Sequence, residues 1–166
     1  MVEHLWHRVD PREAEIARRF MQDAPVKVGT LARELGMRVI KSPLAPTISG
    51  LIRPSEETSS GFEIVVNKYE PPERQRFTIA HEIGHFLLHR ADIGSGVVDS
   101  IMYRSALSSR KETEANKLAA AIIMPDEPLS AAIKRLGDVD YPGVVDELAE
   151  DFRVSVPAMR IRLGVV

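Results

Sequence analysis

Between Phe77 and His89 the chain reads F-T-I-A-H-E-I-G-H-F-L-L-H. At about 100° per residue, its polar side chains fall on one narrow helical stripe. Thr78, His81, Glu82, His85 and His89 share that sector, while Phe77, Ile79, Ala80, Ile83, Phe86, Leu87 and Leu88 cover the rest. The pattern predicts a helix buried almost all round. Its stripe must be satisfied, because unpaired polar groups away from water are costly. Pro71 and Pro72 suit the first turn. Gly84 in mid-helix costs about 1 kcal/mol relative to alanine, which points to close approach of another backbone.

The same patterning predicts helices near 11–22 and 28–36, the second with Val28, Leu31, Ala32 and Leu35 on one face and Gly36 as its stop. Strands follow at 37–41, 50–53 and 62–67, with a proline-containing loop at 42–49 and the turn E-E-T-S-S-G between the last two. Residues 109–125 form a second amphipathic helix with Ala115, Leu118, Ala119, Ile122 and Ile123 in register. The stretch 91–108, with its glycines and serines and little periodicity, links the two helices and is expected to rim a cleft. Near the C-terminus two short helices are expected about a turn at Arg153 to Ser155. The fold class is α+β. One domain is expected over 1–166, with N-terminal helices at 1–36, a core at 37–125 and a helical cap at 126–166.

Composition narrows the chemistry. At 166 residues and 44% hydrophobic the chain can bury a core of ordinary size. It has no cysteine, which excludes disulfides, thiolate metal ligands and a cysteine nucleophile. The N-terminus lacks an apolar signal region and no stretch approaches the length of a membrane span, so a soluble cytoplasmic protein is expected. Net charge is −2, which gives no basic field for nucleic acid. The C-terminal helix pair invites a DNA-binding reading, but residues 126–166 carry five Lys/Arg against eight Asp/Glu, and a phosphate backbone would be repelled. A helical cap or a docking surface for a protein is the favoured reading there.

His81, Glu82 and His85 make an H-E-x-x-H motif. Residues four apart on a helix lie on one face with Cβ atoms roughly 5–6 Å apart, so both histidines can reach one ion. Glu82, one step round, is placed to take a proton from a metal-activated water and pass it to a leaving amine. Zinc, one per chain, is the expected metal, although manganese or iron(II) also suits a His/His/carboxylate set.

A catalytic zinc usually has three protein ligands and a water. His89 lies about 12 Å along the axis from His81, too far to complete the set. It reads either as a support at the cleft edge or as a plain helix-end cation. On the second helix Glu112 lies about 60° from the centre of the apolar face and Glu114 about 100° away, so Glu112 is expected to point inward and Glu114 towards solvent. Glu112 is the candidate third ligand, with Glu114 as the alternative. A capping box, Ser109-x-x-Glu112, is the competing reading of Glu112. Asn116, four residues on, is placed to orient the Glu112 carboxylate. Tyr103, in the linking stretch, reads either as a hydrogen-bond donor to an oxyanion or as a packing residue.

Taken together, R-F-T-I-A-H-E-I-G-H-F-L-L-H (Arg76 to His89) followed by E-T-E-A-N-K-L-A-A-A-I-I-M-P (Glu112 to Pro125) resembles the ImmA/IrrE metallopeptidase family. The resemblance is strongest between Gly50 and Pro125. It implies zinc held by His81, His85 and Glu112, with Glu82 as catalytic base. It also implies a minimal gluzincin-like fold, in which a small, mostly antiparallel sheet packs on the H-E-x-x-H helix. The implied role is a cytoplasmic endopeptidase that cleaves a helix-turn-helix repressor in stress response or mobile-element control. Leu118 stands where a phenylalanine is common in the family. The competing reading is a metal-holding module that docks on a transcription factor without cutting it; the intact Glu82 favours chemistry, since a structural site needs no base.

Overall fold

The computed structural model describes residues 2–94, 109–137 and 143–165. Three helices come first: α1 (Glu3–Trp6), α2 (Pro11–Phe20) and α3 (Val28–Glu34). Asp10 caps α2, its carboxylate accepting from the Arg12 and Glu13 amides, and Pro11 takes the first turn. After α3 the backbone turns at Gly36, whose φ of +92° a side chain would disfavour. A β-carbon there would also meet Ser59 Oγ at 2.6 Å. Ser60 Oγ donates to the Gly36 carbonyl at 2.7 Å, tying the hairpin turn to the end of α3.

The strands are β1 (Arg38–Ser42), β2 (Gly50–Pro54) and β3 (Phe62–Asn67), in the order β1-β3-β2. β2 runs antiparallel to β3, as the hairpin pattern predicts, but β1 runs parallel to β3. The sheet is therefore mixed, where the resemblance implied a mostly antiparallel one. The cause lies in the loop after β1, which crosses the end of β3 to reach the far edge. Buried Asn67 fastens that loop: its Nδ2 donates to the carbonyls of Leu44, Ala45 and Ile48, and its Oδ1 accepts from the Leu44 and Tyr69 amides.

One sheet face, with Ile52, Ile64 and Val66, enters the core. On the other, buried Glu63 sits between its cross-strand neighbours Arg38 and Arg53, at 2.8 and 2.7 Å. Burial would raise the Glu63 carboxyl pKa, but the two guanidinium groups hold it below the usual range.

Helix α4 (Pro72–His89) lies against this sheet and packs most extensively on α5 (Ser109–Ile123). The contact depends on Gly84. A β-carbon at that position would lie 2.9 Å from the Ala115 carbonyl oxygen and 3.2 Å from its Cα. The two helix backbones therefore meet at Gly84, as its cost to the helix had implied.

Three helices follow: α6 (Asp126–Leu136), α7 (Val144–Phe152) and α8 (Val156–Leu163). α7 and α8 are the pair expected about Arg153 to Ser155, and Leu148, Phe152 and Met159 are buried in the shared core. Arg76 of α4 donates to the Phe152 and Arg153 carbonyls, satisfying the end of α7. Arg162 of α8 pairs with Asp126 and donates to the Met124 carbonyl. Among the described residues no helix is long and apolar enough to cross a membrane.

Candidate metal centre

The polar stripe of α4 is buried as the wheel requires: His81, Glu82, His85 and His89 are all 5% exposed or less. Helix α5 brings Glu112 to it. One Glu112 carboxylate oxygen lies 3.2 Å from His81 Nε2 and the other 3.0 Å from His85 Nε2. The ligand atoms of His81, His85 and Glu112 all fall within 4.8 Å of one another. The carboxylate thus faces the histidines, which overrides the capping-box reading of Ser109 and Glu112.

Proton positions decide what this cluster can hold. Asn116 Oδ1 lies 2.8 Å from His81 Nδ1. An amide oxygen accepts, so Nδ1 carries the proton and Nε2 turns a lone pair towards Glu112. Burial pushes the His85 imidazole down to about 4, with Glu112 pulling weakly the other way. For Glu112 burial would raise the pKa, but the contacts with His81 and His85 outweigh it and hold the carboxyl at about 2. Near neutral pH the site therefore gathers imidazole lone pairs and a carboxylate. Two imidazoles and a carboxylate converging in this way fit the donor preference of zinc. Asn116 differs from expectation: it orients His81 rather than Glu112.

His89 is a support. Its Nδ1 lies 2.9 Å from His85 Nδ1 and its Nε2 lies 2.9 Å from Glu114 Oε1. Glu114 corrects the wheel. It is buried, not turned to solvent, because Arg8 comes from the segment after α1 to cover it, with Nη1 2.6 Å from Oε2 and Nη2 3.2 Å from Oε1. The Arg8 hydrogen bonds, joined by that of His89, outweigh burial and hold Glu114 at about 2. No sequence signal pointed to Arg8, which lies 106 positions from its partner. Tyr103 lies outside the described residues.

A cleft of about 670 Å³ opens beside His81. Its lining includes Ser49, Phe77 and Thr78 together with Pro157, Ala158 and Ile161 of α8. Ile161 is 82% exposed, so α8 presents an apolar side chain to the cleft that His81 lines.

The family model described as the IrrE N-terminal-like domain, Peptidase_M78, matches residues 32–164. The chain is 43% identical over 93 residues to a protein named radiation response metalloprotease IrrE from Deinococcus radiodurans, covering 55% of this chain and 27% of that protein. It is 39% identical over 74 residues to the protein of the same name from Deinococcus deserti, covering 45% of this chain and 26% of that one. The matched regions thus span about a quarter of either relative. A solved structure named Mycobacterium tuberculosis transcriptional regulator shares the fold, with a TM-score of 0.60 and 18% identity over 99% of this chain and 50% of that one.

Proposed function

Because the chain belongs to the IrrE N-terminal-like peptidase family, we propose that it is a zinc-dependent endopeptidase acting on a protein substrate in the cytoplasm. The observation that carries this reading is the convergence of His81, His85 and Glu112, with Asn116 and His89 behind the two rings. These three residues would hold the ion. A divalent cation in such a site acidifies water and polarises a peptide carbonyl.

Glu82 takes the proton from the attacking water as oxygen adds to the carbonyl carbon. It gives that proton to the amide nitrogen as the C–N bond breaks. Glu82 is buried on the same stripe of α4 as His81 and His85. The apolar lining residues Phe77, Ala158 and Ile161 would take substrate side chains. β2 lies at an edge of the sheet and packs on α4, which supports an extended substrate segment adding as a further strand.

The names of the Deinococcus relatives support a role in a stress response. A helix-turn-helix repressor is the substrate class that the family suggests, and a direct DNA contact is disfavoured by the acidic balance of residues 126–166.

The test is a search for new protein N-termini in lysate of the source cells after adding zinc-loaded chain, with Glu82→Gln as control. Cuts in a transcriptional regulator made by the unmodified chain alone are expected. A regulatory effect that survives Glu82→Gln, with no cuts, would favour the non-cleaving module.

A further inference from the structure

Three groups beside the centre have no part in the hydrolytic scheme: His89, Glu114 and Arg8. Their contacts form a chain that ends at His85. Arg8 can only donate, and it presents two N–H groups to Glu114. The ionised Glu114 carboxylate can only accept, so the His89 Nε2 at 2.9 Å carries a proton. The other His89 nitrogen, Nδ1, faces His85 Nδ1 at 2.9 Å. That contact holds the His85 ring at Nδ1 and leaves its Nε2 facing Glu112 at 3.0 Å. The His85 ring is thus linked to Arg8 by a chain of contacts through His89 and Glu114.

We propose that Glu114 and His89 are positioning residues for the metal ligand His85, with Arg8 anchoring Glu114, so that the segment after α1 forms part of the centre's support. This rests on the reading of His85 as a metal ligand. A ligand histidine ordinarily donates its second N–H directly to a carboxylate or carbonyl. Here a second imidazole, one turn further along α4, stands between ring and carboxylate. The two histidine ligands therefore have different supports: Asn116 of α5 holds His81 directly, whereas His85 depends on a residue from the first ten of the chain.

The experiment measures zinc affinity of the full chain by competition with a chelator, and the visible absorption of the cobalt(II)-loaded chain. Glu114→Gln and His89→Phe are each expected to weaken zinc binding by about 10–100-fold and to alter the cobalt spectrum, with the circular dichroism of the metal-free chain unchanged. Arg8→Gln, on a partly exposed arm, is expected to weaken binding in the same direction and by less. It serves as the readout if the buried variants do not fold. Unaltered affinity and spectrum in folded His89→Phe and Arg8→Gln proteins would overturn the proposal while leaving the metal site standing. Failure of the unmodified chain to take up zinc would overturn the metal-site reading and this proposal with it.

Discussion

Gly84 of α4 and Ala115 of α5 are in backbone contact, with no room for a β-carbon between them. This approach lets Glu112, three residues before Ala115, reach the two histidines that flank Gly84. Gly84→Ala gains helix propensity worth about 1 kcal/mol but must force the helices apart, at about 1–3 kcal/mol for an overpacked core. The expected result is a lower melting temperature together with weaker zinc binding. A variant as stable as the original, with full zinc affinity, would show that the helices can be spread without disturbing the site.

Acid should destabilise the metal-free protein in two stages. His85 has its pKa lowered from 6.5 to about 4, so the unfolded chain binds the extra proton first, and stability falls as pH drops from 6.5 towards 4. Glu114 is lowered from 4.5 to about 2, so its contribution is present above 4.5 and is lost as pH falls towards 2. Denaturant unfolding at a series of pH values reads both. His85→Phe should remove the upper stage, and Glu114→Gln should weaken the lower one, to which Glu112 and Glu63 also contribute.

Arg76 joins α4 to the C-terminal pair through the Phe152 and Arg153 carbonyls. Arg76→Met should cost about 0.5–1.5 kcal/mol, the usual net worth of such bonds. It should also raise amide exchange in 144–163 more than in α4. Uniform exchange across the chain would argue that the pair is held by its apolar contacts alone.

Much of this is legible in the amino-acid sequence. The stripe on α4 gave its own burial, because five polar residues in one sector leave the rest of the helix apolar. Gly84 signalled a close backbone neighbour by its cost. The helical register of 109–125 put Glu112 on the inner side. The errors share one cause: a helical wheel sees only its own helix. It placed Glu114 in solvent because nothing in residues 109–125 reveals that Arg8 covers it. It paired Asn116 with Glu112, four positions away on the same helix, although a histidine on another helix lies closer to hand. Likewise the strand pattern predicted three strands but not their order, which depends on buried Asn67 gathering the loop after β1.

Zinc should stabilise the fold by mass action. At a free concentration about 100 times Kd the gain is about 2.7 kcal/mol, read as a rise in melting temperature that a chelator reverses. Glu112→Ala should abolish most of that rise. A full zinc-dependent rise in Glu112→Ala would place the ion elsewhere.

The most direct measurement is X-ray absorption at the zinc edge of the stoichiometrically loaded chain, alone and with Glu82→Gln. The account predicts two imidazole nitrogens, a carboxylate oxygen and one exchangeable water at about 2.0–2.2 Å, the same in both proteins, with hydrolysis lost only in Glu82→Gln. A fourth protein ligand in place of the water, or equal hydrolysis by both proteins, would contradict it.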